Sequence, residues 1–161
     1  MRVFKEEQSF RQWWVLLILG SMLLGCCLVV INSFTNSSAK TMEFVALGII
    51  IIVSLLFWKL KLRTKIDATG IKARFEPTSF FRKEFKWNEI SKCYVRKYVP
   101  VAEYGGWGIR GLGKTRAYNV SGNMGIQIFT KDKKNFLIGT NKPEEANKVL
   151  RRYQEKIKNH E

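Results

Sequence analysis

The chain has 161 residues, with 28 Lys plus Arg against 13 Asp plus Glu and a formal net charge of +15. Its one histidine, His160, sits in the C-terminal tail, and of three cysteines Cys26 and Cys27 are adjacent while Cys93 is distant. That excludes a disulfide framework and a Cys/His zinc site, and it gives no reason to expect a cofactor.

In chain order, residues 1–12 carry Arg2, Lys5 and Arg11 against Glu6 and Glu7. Trp13 to Ile31 then runs nineteen positions without a charge, close to the roughly 20 that a helix needs to cross a bilayer core about 30 Å thick. A second apolar run, charge-free from Phe44 to Trp58, reaches a full span only with Met42 and Leu60 included, Glu43 at one headgroup layer and Lys59 snorkelling at the other. Each run holds eleven Leu, Ile, Val or Phe residues, which favours insertion by about −3 to −7 kcal/mol per helix. A cleaved signal peptide would be shorter and would stand alone, core helices would lack a cover, and Ile49 to Val53 lies in too long an apolar run for a strand. The pattern predicts a two-helix transmembrane hairpin over 13–60, with spans at about 13–31 and 42–60.

Lys59, Lys61, Arg63 and Lys65 follow the second run, whereas the bridge between the runs has Lys40 alone. The positive-inside bias therefore places both termini in the cytoplasm, with a multi-pass topology. Two glycosylation-type triplets, Asn36-Ser37-Ser38 and Asn119-Val120-Ser121, read as accidental. Ser21 and Gly25 form a small-xxx-small pair in the first run; its simplest partner is the second run, and a second copy of the chain is the sharper alternative.

Beyond Leu62 the period becomes alternating, and 22 Lys plus Arg face 10 Asp plus Glu, a net +12. Strands are predicted near Thr64–Ile66, over Ile71–Glu76 and Phe80–Trp87, and at Lys92–Val99, Tyr118–Val120, Gly125–Lys131 and Asn135–Gly139. Turns fall at Asp67-Ala68-Thr69-Gly70 and at Asp132 to Lys134. A helix follows: Asn141 and Glu144 resemble a capping box, Pro143 suits the first turn, and Ala146, Val149, Leu150, Tyr153 and Ile157 form its apolar stripe. The fold class is α+β, with 62–161 a mainly β domain.

The glycine-rich stretch Glu103 to Arg116 matches two nucleotide patterns, G-x-x-x-x-G-K-[ST] at Gly108, Gly113, Lys114 and Thr115, and G-x-G-x-x-G at Gly106, Gly108 and Gly111. Phosphate loops of this kind need a buried strand before them and a helix after. Pro100 interrupts the former and Arg116 to Gly122 shows no helical period, so a nucleotide-binding enzyme at 108–115 is the remote alternative. One reading has Trp107 plugging the core and Glu103 pairing with an arginine such as Arg110. The other has Trp107 at an interface, with Arg110, Lys114 and Arg116 holding phosphate.

Lys86-Trp87-Asn88-Glu89-Ile90, Tyr104 to Arg110, Ala117-Tyr118, Ser121-Gly122 with Gly125, and Leu137 to Thr140 leading into Pro143-Glu144-Glu145 stand in order over about 60 residues. In these the chain resembles bacterial membrane-anchored pleckstrin-homology-like proteins of uncharacterised function. The resemblance implies a seven-stranded PH-like barrel capped by the C-terminal helix, and a bacterial inner-membrane localisation. Together these readings lead to an expected non-enzymatic membrane module that contacts anionic lipid or a membrane-protein partner, with no nucleic acid, metal or cofactor expected. A scaffold or regulatory subunit without lipid specificity is the alternative. The expected binding residues are Trp107, Arg110, Lys114, Arg116, Lys59, Lys61, Arg63 and Lys65.

Overall fold

The computed structural model describes residues 3–10, 13–35, 40–77, 81–111 and 113–158. Arg2, Arg11, the Asn36-Ser37-Ser38 triplet, Phe80 and His160 lie outside them, as do the side chains of Glu43 and Ile157. The chain divides into a helical unit, Ser9–Leu60, and a β unit made of Met1–Gln8 with Lys61–Glu161.

In the helical unit, α1 (Trp13–Thr35) and α2 (Lys40–Lys59) pack on each other, and Phe10 meets Phe57 edge-on at 6.0 Å. Most of their apolar surface is open: the Val15–Asn32 window of α1 has a mean hydropathy of 2.6 and is only 11% buried. The Ser21 hydroxyl donates to Ile18 O of its own helix, and nothing stands within 4 Å of the position a Gly25 side chain would take.

The two-span hairpin expected from the sequence is not supported. Among the described residues one helix, α1, is long and apolar enough to cross a membrane; the apolar part of α2 is the shorter Phe44–Lys59. Its charge-free stretch of fifteen residues, Phe44 to Trp58, covers about 22 Å at 1.5 Å per residue, against a core of about 30 Å. The integral two-span partnership with the membrane and the multi-pass inner-membrane localisation fall with it.

Among the described residues the β unit has nine strands. Strands β1 (Phe4–Ser9), β2 (Lys61–Ile66), β3 (Gly70–Glu76) and β4 (Arg82–Lys86) form one sheet in that order. Strands β5 (Ile90–Lys97), β6 (Gly108–Arg110), β7 (Thr115–Asn119), β8 (Met124–Thr130) and β9 (Asn135–Gly139) form the other, in the order β5-β8-β9-β7-β6. Strand β1 precedes the helical unit and β2 follows it, so that unit is inserted between two neighbours of one sheet.

The PH-like barrel is therefore corrected too: the sheets are separate and do not close. A 3-10 turn at Trp87–Glu89 carries the chain from one sheet to the other, and β7 runs parallel to β9, leaving β6 as an outer edge. Their inner faces meet through Phe75 on Tyr118 and Phe85 on Phe136, with ring centroids 5.3 and 5.1 Å apart. Leu62, Ile66, Ile71, Ile126, Ile128 and Ile138 complete this core. Cys93 is buried in it, and the apolar surroundings push its thiol far up from the ordinary value.

A short helix, α3 (Pro100–Tyr104), lies within the second sheet's sequence, and α4 (Pro143–Lys158) buries Ala146, Val149, Leu150 and Tyr153. Tyr153 stacks on Trp87 at 5.1 Å. The start of α4 is held by β1: the buried Glu6 accepts hydrogen bonds from Thr140 Oγ1 (2.6 Å) and Asn141 N (2.7 Å), and Gln8 donates to Gly139 O (2.8 Å). Asn141 itself is engaged with Ser121, not with Glu144 as a capping box would have it.

The β2–β3 turn joins Asp67 and Gly70 by paired backbone hydrogen bonds, and Trp87 Nε1 donates to Asp67 O at 2.9 Å. Burial alone would raise the Asp67 carboxyl, but Lys65 at 2.7 Å and the Thr69 hydroxyl and amide outweigh it and hold the group well below the usual carboxylate range. Because the folded value is depressed, this stabilisation is complete above the unfolded value of about 3.9 and is lost as pH falls below it. Acid unfolding of Asp67→Asn in detergent is expected to follow a shallower slope than the parent between about pH 5 and pH 2. Equal slopes would contradict the assignment.

Candidate anion-binding site

Strict alternation along the first sheet sends apolar residues inward and charged ones outward. On β2, Leu62, Thr64 and Ile66 are buried while Lys61, Arg63 and Lys65 point out; on β3, Lys72, Arg74 and Glu76 point out. The register sets Lys61 beside Glu76, Arg63 beside Arg74 and Lys65 beside Lys72. On β4 it adds Glu84 beside Lys72 and Arg82 beside Arg74, and β1 contributes Lys5 and Glu7.

With Lys86 this outer face presents eight basic residues against three glutamates and Asp67, which pairs with Lys65 from the β2–β3 turn, a surplus of four. Each glutamate is shared: Glu7 by Lys61 and Arg63, Glu76 by Arg63 and Arg74, and Glu84 by Lys72 and Arg82. The hydrogen bond from Lys72, then that from Arg82, lowers the Glu84 carboxyl. Exposed pairs of this kind contribute about 0 to 1 kcal/mol each, so they order the side chains more than they stabilise the fold. The result is a preorganised cationic sheet face.

Of the residues expected from the sequence, Lys61, Arg63 and Lys65 stand together on this face. Lys59 ends α2 in the helical unit. Lys72, Arg74 and Arg82 belong to the site but were not among the expected residues; their signal was the same alternation, read one strand further.

The glycine-rich loop does not gather its four expected residues. Trp107 is half-buried, its Nε1 donating to Gly122 O at 3.1 Å, and Arg110 Nε turns back to Trp107 O at 2.8 Å. Glu103 pairs with Arg96 at 2.6 Å, not with Arg110, and accepts from Val99 N at the start of α3. The Arg96 hydrogen bond holds the Glu103 carboxyl below its usual value. Lys114 and Arg116 instead line a cleft of about 690 Å³ beside β4 and the β8–β9 turn. Residues after Lys114 form strand β7, so the helix N-terminus that a phosphate loop requires is replaced by a strand.

Among the described residues no group of three or more His, Cys, Asp or Glu side chains is placed to hold a metal ion. No protein-family model matches the chain, and no curated protein matches it.

Proposed function

We propose that the chain is a membrane-associated, non-enzymatic binding module whose first sheet lays its basic outer face against anionic lipid headgroups. The observation that carries this reading is the surplus of four positive charges on one side of a four-stranded sheet. Near an anionic bilayer each basic residue is attracted by about 1 kcal/mol, so the surplus is worth about 4 kcal/mol. The helical unit supplies a reason for the face to meet a bilayer, since α1 is long and apolar enough to enter one and is mostly exposed.

The test uses the full chain in nanodiscs carrying a gadolinium-chelating lipid headgroup. Amide signals of Arg63, Lys72 and Arg74 are expected to broaden in anionic nanodiscs and to recover in about 1 M salt, where the screening length falls to about 3 Å. Equal broadening in neutral and anionic nanodiscs would rule the reading out.

A further inference from the structure

We propose that the cleft lined by Lys83, Lys114 and Arg116 is a second site, distinct from the outer sheet face, that binds a phosphate monoester. Lys83 carries the first part of the argument. It lies opposite Ala73, a buried inner residue, and alternates with the outward Arg82 and Glu84, so it occupies the inner side of edge strand β4 and is half-buried. A lysine directed between two sheets calls for an anion, because a partly desolvated charge is costly when unpaired.

Arg116 approaches from the other sheet. It shares the face of Tyr118, whose ring packs on Phe75 and Phe136, so its position at the start of β7 opens on the same gap. Lys114 stands at the lip, beside Gly113. Among the described residues none of the three cations forms an ion pair.

Two of the three acids of the cleft are paired with other cations, and the third, Glu89, accepts from a backbone amide. Glu84 holds Lys72 at 2.6 Å and Arg82 at 3.0 Å; Asp132 holds Lys134 and accepts from Thr130; Glu89 Oε2 accepts from Lys86 N. Three cations without carboxylate partners around a recess thus favour a compact, doubly charged anion, which a phosphate monoester supplies. Phe85 and Phe136, tilted together at 5.1 Å, give the recess an apolar floor for the organic part of the ester, and its volume lies in the range of small-molecule sites.

The experiment titrates the full chain, in neutral detergent, with inorganic phosphate, glycerol 3-phosphate and a short-chain phosphatidic acid, following amide shifts of residues 83, 114 and 116. Saturable shifts there are expected, and Lys114→Ala with Arg116→Ala, both at exposed positions, is expected to weaken binding by about tenfold or more. The Arg74→Gln change on the outer face should leave the affinity unaltered, which separates this site from the membrane-facing one. Tighter binding of phosphatidic acid than of glycerol 3-phosphate would assign the phosphate to a lipid, and the reverse to a soluble ester. Absence of saturation with all three probes, or an affinity insensitive to the double substitution, would overturn the proposal. So would a Lys83→Met chain that self-associates through β4 with unchanged affinity, because Lys83 would then serve to guard the sheet edge.

Discussion

Replacing Lys5, Lys72 and Arg74 together by glutamine is expected to lower docking of the β unit on anionic lipid by about 3 kcal/mol, or roughly 100-fold. These three are the informative choice because each glutamate of the face keeps a partner: Arg63 remains on Glu7 and Glu76, and Arg82 remains on Glu84. The loss should therefore appear in lipid binding, with unfolding of the detergent-solubilised chain shifted by less than about 1 kcal/mol. A triple variant that still discriminates anionic from neutral lipid as strongly as the parent would contradict the account of the face.

Gly70→Ala is expected to be strongly destabilising to the β unit. Gly70 has φ +152°, and an added Cβ would stand 2.0 Å from Phe85 O and 2.9 Å from Phe85 C. These are backbone atoms of the neighbouring strand, so relief requires β3 and β4 to part where Gly70 faces Lys86. That movement would also draw the turn away from the Trp87 indole bonded to Asp67 O. Broken pairing and strain together are expected to cost more than about 3 kcal/mol. Gly105, at φ +71° with nothing within 4 Å of its added Cβ, provides the comparison, where alanine should cost about 1 kcal/mol. Chemical unfolding of both variants would decide it, and similar losses in the two would contradict the steric explanation.

What the sequence made legible follows a physical rule. Strands β2, β3, β8 and β9 could be read because most of their inward residues are apolar, as with Leu62 and Ile66 against Lys61, Arg63 and Lys65. Strand β1 could not, because two of its inward residues are Glu6 and Gln8, whose burial depends on Thr140, Asn141 and Gly139 more than 130 positions away. Strand β6, three residues in a glycine-rich loop, offers too little pattern to read.

The site was legible in part for the same reason. Lys61, Arg63 and Lys65 announce a charged face within one strand, but only the register shows that Lys72, Arg74 and Arg82 extend it. Nearness in sequence did not show how Trp107, Arg110, Lys114 and Arg116 are placed: Arg110 folds back on Trp107, while Lys114 and Arg116 line the cleft beside β4. Barrel closure likewise depends on which edges pair, and an alternating pattern looks the same in an open sheet and a closed one. The second apolar run shows a further limit: α2 has twenty residues, but its apolar part, Phe44–Lys59, is shorter than a membrane span.

Photo-crosslinking of the full chain in anionic nanodiscs, with Lys72 replaced by a photoreactive benzoylphenylalanine, tests the central claim most directly. Lys92, an exposed residue of the second sheet, provides the control position. Phospholipid adducts from position 72, their loss in neutral nanodiscs and their near absence from position 92 are the predicted result. Equal adduct yields from the two positions, or yields from position 72 that do not depend on lipid charge, would contradict it.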